Sequence, residues 1–303
     1  MVTTSAGEWV HCGRVFSGEE IAEISATVAW LPGLARKELA ATLCEHLVWH
    51  TVTGTPKIHA CLEFLERLEG AGLLVLPRVR APRPRRTVAL APAKAPLGEP
   101  LEEAAIDGLL QTLAPVTLEI VRDTAAVAQW NALVARWHPL GCPGAFGYRL
   151  RYFITAGGRR LGCVLLAGAA RALAVRDRWI GWDVQTCRDN RVRILNNSRF
   201  LIFPHVQVPH LASHVLGQLA RRVRADWLEH WSFEPLLLET FVDPRHYAGT
   251  CYRAAGWQLL GETSGRGLAR PGHAYHSTPR QVWVKPLTAD SRERLCTPGG
   301  LPR

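Results

Sequence analysis

Pro235-Leu-Leu-Leu-Glu-Thr-Phe-Val-Asp243 is the stretch from which the fold is read. It is an apolar run that turns β-branched and aromatic towards its end, the pattern of a buried strand. Glu239 and Asp243 stand at and just beyond its C-terminal end, where open α/β sheets present their ligands. The segment that follows, His246 to Gly256, reads as a helix stopped by a glycine, and Trp257 to Thr263 resumes an extended pattern. Upstream, Ser198 to Pro204 is a second apolar strand and Leu211 to Trp231 an amphipathic helix. Strand, helix, strand, helix, strand in so short a span predicts a compact α/β unit.

Outward from that unit, the sequence predicts two domains and a tail. Helical apolar spacing covers Gly18–Trp30, Arg36–Trp49 and Lys57–Glu69, and Leu73–Pro77 reads as a strand. Three helices, a strand and a basic tail fit a winged helix-turn-helix over residues 14–86, with Lys57 opening the recognition helix. Arg78, Arg80, Arg83, Arg85 and Arg86 are interleaved with prolines. Such a segment extends rather than packs, and suits an arm that tracks phosphates. Residues 87–114 read as a linker and residues 288–303 as a tail. Residues 115–287 hold the α/β domain. Within that domain Val116–Arg122 is a strand and Thr124–Trp137 a helix. Leu150–Thr155 and Leu161–Ala167 form a hairpin about Gly157-Gly158, and Val175–Trp182 is an aromatic loop. The basic segment Asp183 to Leu195 reads as helical, and Gln281–Lys285 as the last strand.

Lys and Arg number 36 against 26 Asp and Glu, a net charge of +10 supplied almost wholly by arginine. Guanidinium forks engage phosphate oxygens bidentately, so this balance points towards nucleic acid; an arginine-rich genome produces it too. The 8 cysteines form no Cys-x-x-Cys pair and read as reduced core thiols, not as a zinc site. No signal peptide and no long apolar span is visible, which predicts a cytoplasmic protein without a membrane partner. A P-loop and a Gly-x-Gly-x-x-Gly motif are both absent, so the sequence implies no ATP.

Asn197-Ser-Arg-Phe-Leu-Ile, Leu211-Ala-Ser, Glu239-Thr-Phe-Val-Asp243 and Gly249-Thr-Cys-Tyr-Arg-Ala-Ala-Gly-Trp257 resemble the Druantia anti-phage protein A family. The resemblance runs from about Ala35 to Leu287 and implies a role in phage defence or in a mobile element. More remotely, the strand-helix order is similar to the N-acetyltransferase superfamily and to Mom-type DNA base modifiers of phages. That second resemblance implies a coenzyme A cradle at Gln207-Val-Pro-His-Leu-Ala212. Gln207 and Ala212 fit the pattern. His210 replaces a glycine and Pro209 lacks an amide donor, so coenzyme A is not expected.

Tyr252 matches the acyltransferase general acid. It would equally serve as a nucleophile on a DNA phosphate, or simply pack as a hydrogen-bond donor. Glu239 and Asp243 are candidate ligands for a divalent metal such as Mg²⁺, with Asp177 or Asp183 completing the set. The alternative is that Glu239 pairs with Arg199 in the core. Asn197 and Arg199 are placed to grip a base edge or phosphate, or to turn the chain into its strand.

The expectation is therefore a DNA-binding, DNA-processing protein of a phage-defence or mobile-element system. Its catalytic candidates are Glu239, Asp243 and Tyr252, acting in strand nicking or transfer. A Mom-type base modifier and an inactive recognition subunit recruiting a helicase, nuclease or transposase remain open alternatives, with RNA a further candidate partner.

Overall fold

The computed structural model describes residues 9–52, 54–78, 104–113, 115–141, 147–265 and 278–299. The described residues begin with a hairpin of β1 (Trp9–His11) and β2 (Arg14–Phe16), paired Trp9 to Phe16. Its turn, Cys12-Gly13, has positive φ at both positions, as a two-residue turn between twisted strands requires. Helix α1 (Gly18–Trp30) starts on a capping box in which the Ser17 hydroxyl accepts from the Glu20 amide, and the Glu20 carboxylate accepts from that of Ser17. Helices α2 (Arg36–His46) and α3 (Ile58–Gly70) follow. Ile24, Leu39, Leu43, Phe64 and Leu68 are buried between them.

The expected strand at Leu73–Pro77 does not form. Leu73 closes α3 through the Leu68 carbonyl, Leu76 donates to the Glu69 carboxylate, and no described strand lies alongside. Leu74 and Leu76 are buried while Leu73 and Val75 are exposed, so the alternation reflects an extended segment lying on helices. Three helices stand near their expected spans, but the hairpin precedes them. No wing hairpin follows α3 among the described residues.

The α/β part runs β3 (Ile106–Asp107), β4 (Thr117–Ile120), α4 (Thr124–Trp137), β5 (Leu150–Ala156) and β6 (Arg159–Gly168). Helices α5 (Ala174–Ile180) and α6 (Val184–Asn190) precede β7 (Ile194–Ile202), β8 (Val206–Gln207) and α7 (Leu211–Trp231). The chain ends through β9 (Leu237–Val242), α8 (Thr250–Ala254), β10 (Gln258–Glu262), β11 (Gln281–Pro286) and α9 (Ser291–Cys296). Seven strands form one mixed sheet in the order β10-β11-β9-β7-β6-β5-β4, which makes the chain α/β as expected. All neighbours in it are antiparallel except β7 and β9. β6 is buried from Leu161 through Ala167, the continuous apolar run of a strand covered on both faces. α7 buries Leu216, Leu219, Val223 and Trp227 in the shared core.

Four local expectations change. Val175–Trp182 is mostly the helix α5, started by Asp177, whose carboxylate accepts from the Leu173 amide. β7 begins at Ile194 rather than Ser198, because Asn196 and Asn197 are paired strand residues and not a turn. The helix expected over His246–Gly256 shrinks to α8. The tail contains α9, which buries Leu295. The N-terminal helices are tied to the sheet domain by polar bonds as well as by core. The Gly33 amide donates to the Tyr148 hydroxyl at 2.8 Å, and Arg171 donates to Glu23 at 2.7 Å.

Candidate functional site

β7 and β9 pair over three residues only, Ile194 with Leu237 through Asn196 with Glu239. Past that point β7 bonds to β6 and β9 to β11, so the two parallel strands diverge. A bulge at Ser198, between the pairs Leu166–Asn197 and Leu165–Arg199, bends β7 where the divergence begins. The opening is a cleft of about 650 Å³. Asn197 and Phe200 line it from β7, Thr240 and Val242 from β9, and Tyr252 from α8. Trp137 at the end of α4 and His138 just after it, with Tyr247 and Arg280, also line it.

At the apex Asn197 is 3 % exposed. One end of its amide lies 3.4 Å from the Tyr252 hydroxyl, and the other has no partner. Thr240 donates its hydroxyl to the Asn197 carbonyl at 3.1 Å, which holds the strands together at the crotch. Tyr252 is packed among Phe200, Trp257 and Trp283. Burial pushes its phenol up, so the hydroxyl stays protonated and is not a phenolate nucleophile. Gly249 permits this packing: its φ is +67°, and a Cβ there would sit 2.7 Å from the Trp283 ring.

Arg199 does not line the cleft. Its guanidinium donates to the Gly141 and Ser198 carbonyls and anchors the corner after α4 to β7. That corner carries His138, whose Nδ1 accepts from the Leu140 amide. Burial, then the charge of Arg199, lowers the His138 pKa from 6.5 to about 4. The unfolded chain therefore binds an extra proton between those values, and folding stability falls as pH drops through that window. Replacing His138 with Gln is expected to flatten the decline in Tm between pH 6.5 and about 4, with little change at pH 8. Calorimetry across that range checks this; an unchanged decline would place the titration elsewhere.

The catalytic candidates are not brought together. Glu239 is fully buried and absent from the cleft lining. Its carboxylate accepts from the Ala170 amide and from Arg176, both at 2.7 Å, and not from Arg199. Arg176 is fully buried too and also bonds Asp177. Asp243 does reach the cleft, but both its oxygens are held by Arg245, which drives its carboxyl far below the usual carboxylate range. Both acids thus have their oxygens committed, and a Mg²⁺ site built on Glu239 and Asp243 does not fit. Among the described residues no cluster of three metal-ligating side chains includes either of them, nor Asp177 or Asp183. Asp183 instead caps α6.

The coenzyme A cradle does not fit either. Pro209 offers no amide, the Leu211 amide is already bonded to the Val208 carbonyl, and His210 enters α7 in the left-handed region where a glycine belongs. Calorimetry with acetyl coenzyme A is expected to be silent. A micromolar affinity lost in Gln207→Ala would contradict that expectation.

Of the nucleic-acid candidates, Lys57 is half-buried just before α3 and Arg78 is exposed. Arg80, Arg83, Arg85 and Arg86 lie outside the described residues. Trp137, Thr240, Tyr247 and Arg280 were not singled out in the sequence. They reach the cleft through the divergence of β7 and β9, which no local pattern announces.

No curated protein matches the chain by sequence. Three solved structures with similar folds are acetyltransferases. One, from Bacillus subtilis in complex with CoA, is 8 % identical, with TM-score 0.37 over 57 % of this chain and 100 % of its own. The aminoglycoside acetyltransferase AAC(6')-Ib with coenzyme A and kanamycin is 14 % identical, TM-score 0.35, over 59 % and 98 %. An agmatine N-acetyltransferase mutant is 13 % identical, TM-score 0.37, over 56 % and 99 %. These likenesses are remote, and the fold assignment rests on this chain's own sheet order. The sequence pattern of the Druantia protein DruA family matches residues 102–271, more than half the chain, including β7, β9, α8 and the cleft they enclose, and the protein belongs to that family.

Proposed function

We propose that this DruA-family protein serves phage defence by binding DNA and taking one unstacked nucleotide into the cleft between β7 and β9. One observation supports this above others: a buried amide end with no partner, at the apex of a cleft walled by aromatic rings. Asparagine amides read base edges, and aromatic faces stack on bases of any sequence. A base removed from its stack presents both the edge and the face that such a cleft accepts. The basic balance of the chain, and the arginines from Arg78 to Arg86, supply the phosphate affinity that delivers the strand.

Strand cleavage has less support. With Glu239 outside the cleft and Asp243 held by Arg245, the described residues offer it no carboxylate pair. A protonated, buried Tyr252 is a poor nucleophile. Tyr252 does suit proton donation to a leaving group, which favours base modification as the second reading; recruitment of a partner enzyme needs no chemistry in the cleft.

The arm provides the first test of DNA binding. Changing Arg78, Arg80, Arg83, Arg85 and Arg86 to Ala is expected to weaken binding and lower the log–log salt slope by about one per lost phosphate contact. Titrations at several salt concentrations measure it. An unchanged slope would reduce the arm to a connector.

A further inference from the structure

The β1–β2 turn and α3 bring together three side chains that the cysteine count of the sequence passed over. His11, Cys12 and Glu63 each offer one ligand atom, a ring nitrogen, the thiol and a carboxylate oxygen, and these atoms all lie within 4.8 Å of one another. The His11 side chain is only 10 % exposed, stacks on Phe64 at 5.3 Å, and its Nε2 is buried without a hydrogen-bond partner. The Glu63 carboxylate is 3.8 Å from it, too far to satisfy it. His59, one turn earlier on α3, stands 3.6 Å from the other Glu63 oxygen.

We propose that His11, Cys12 and Glu63 form a zinc-class cation site that staples the N-terminal hairpin to α3. Nitrogen, thiolate and carboxylate donors are the ligand set of Zn²⁺. A thiolate and a carboxylate neutralise its two charges while the imidazole stays neutral. Binding would release the Cys12 proton to solvent. It also requires a lone pair on Nε2, and so the ring hydrogen on Nδ1. Nδ1 now accepts from Arg67 at 2.9 Å. Arg67 is exposed and also donates to the Val10 carbonyl, so it can release Nδ1 and keep that second bond. Cys12 is exposed on its turn, which leaves the site open to the ion.

Titrating Co²⁺ into the full-length, reduced, chelator-stripped protein tests the site. The expected result is one equivalent bound, with the visible bands of four-coordinate cobalt, a thiolate charge-transfer band, and displacement by Zn²⁺. Cys12→Ser, a change at an exposed turn, should abolish the charge-transfer band. Glu63→Gln should weaken binding by more than about tenfold, and Arg67→Ala should strengthen it by removing a competing cation. Cys296→Ser should change nothing. Absence of the bands in the wild-type protein, or bands and affinity unchanged in both Cys12→Ser and Glu63→Gln, would overturn the proposal. Because DNA binding is not read in this titration, the site stands or falls independently of the cleft.

Discussion

Replacing Arg176 with Met is expected to destabilise the protein by about 3–5 kcal/mol, the cost of leaving a buried carboxylate without its counter-charge. Arg176 and Glu239 are both fully buried and bonded at 2.7 Å, and Arg176 also donates to the Ala170 carbonyl. The pair fastens α5 and the segment before it to β9 at the point where β7 and β9 part. Glu239→Gln should also destabilise, though less, since its amide oxygen still accepts from the Ala170 amide. The double change Arg176→Met with Glu239→Leu should recover much of the loss, because two apolar side chains leave no charge in the core. Denaturant midpoints of the four proteins measure this. If Arg176→Met shifts stability by less than about 1 kcal/mol, Glu239 does not depend on the ion pair, and its role in chemistry reopens.

Asn197→Ala is expected to weaken binding of single-stranded DNA by roughly 10–100-fold, the loss of one well-placed base contact. Stability should change by less than about 1 kcal/mol, since the side chain makes only a 3.4 Å contact within the fold. Tyr252→Phe removes the hydroxyl and keeps the ring. It should preserve most of the binding if stacking holds the base, while abolishing any proton-donating chemistry. The contrast with the Arg176 variant separates a cleft residue from a residue that supports the cleft. An Asn197→Ala protein that is unstable but binds normally would make Asn197 part of the core.

Much of the fold was legible because its elements repeat their apolar residues at clear periods. Thr124–Trp137 and Leu211–Trp231 match their helices at both ends, since each carries a clear apolar face, and Asp123 caps the first. The run at Leu237–Val242 is the strand it reads as, and its antiparallel partner β11 was visible in Gln281–Lys285. Leu73–Pro77 misled because alternation records which residues face a core, and an unpaired segment can alternate as a strand does.

The site was legible in its parts and not in its assembly. Glu239 and Asp243 stand four apart at the end of one apolar run, which makes them candidate ligands for one metal. The strand ends at Val242, and the two acids find separate arginines, Arg176 and Arg245. Nothing in Val175-Arg-Asp-Arg-Trp-Ile-Gly-Trp182 distinguishes the buried Arg176 from Arg178, because burial there depends on a strand more than sixty residues away. Asn197 and Tyr252 were both named, but their proximity at the apex depends on the bulge at Ser198 and on the left-handed Gly249.

The central claim, that the cleft receives a nucleotide, is tested most directly by photocrosslinking. Single-stranded DNA carrying iodouracil would be irradiated with the full-length protein, and the attached peptides mapped by mass spectrometry. Attachment within 197–204 and 240–252, suppressed by Asn197→Ala and retained in a variant lacking the arginines of 78–86 at saturating DNA, is the expected result. Attachment confined to 78–86 and other basic segments, with none in the cleft, would contradict the account.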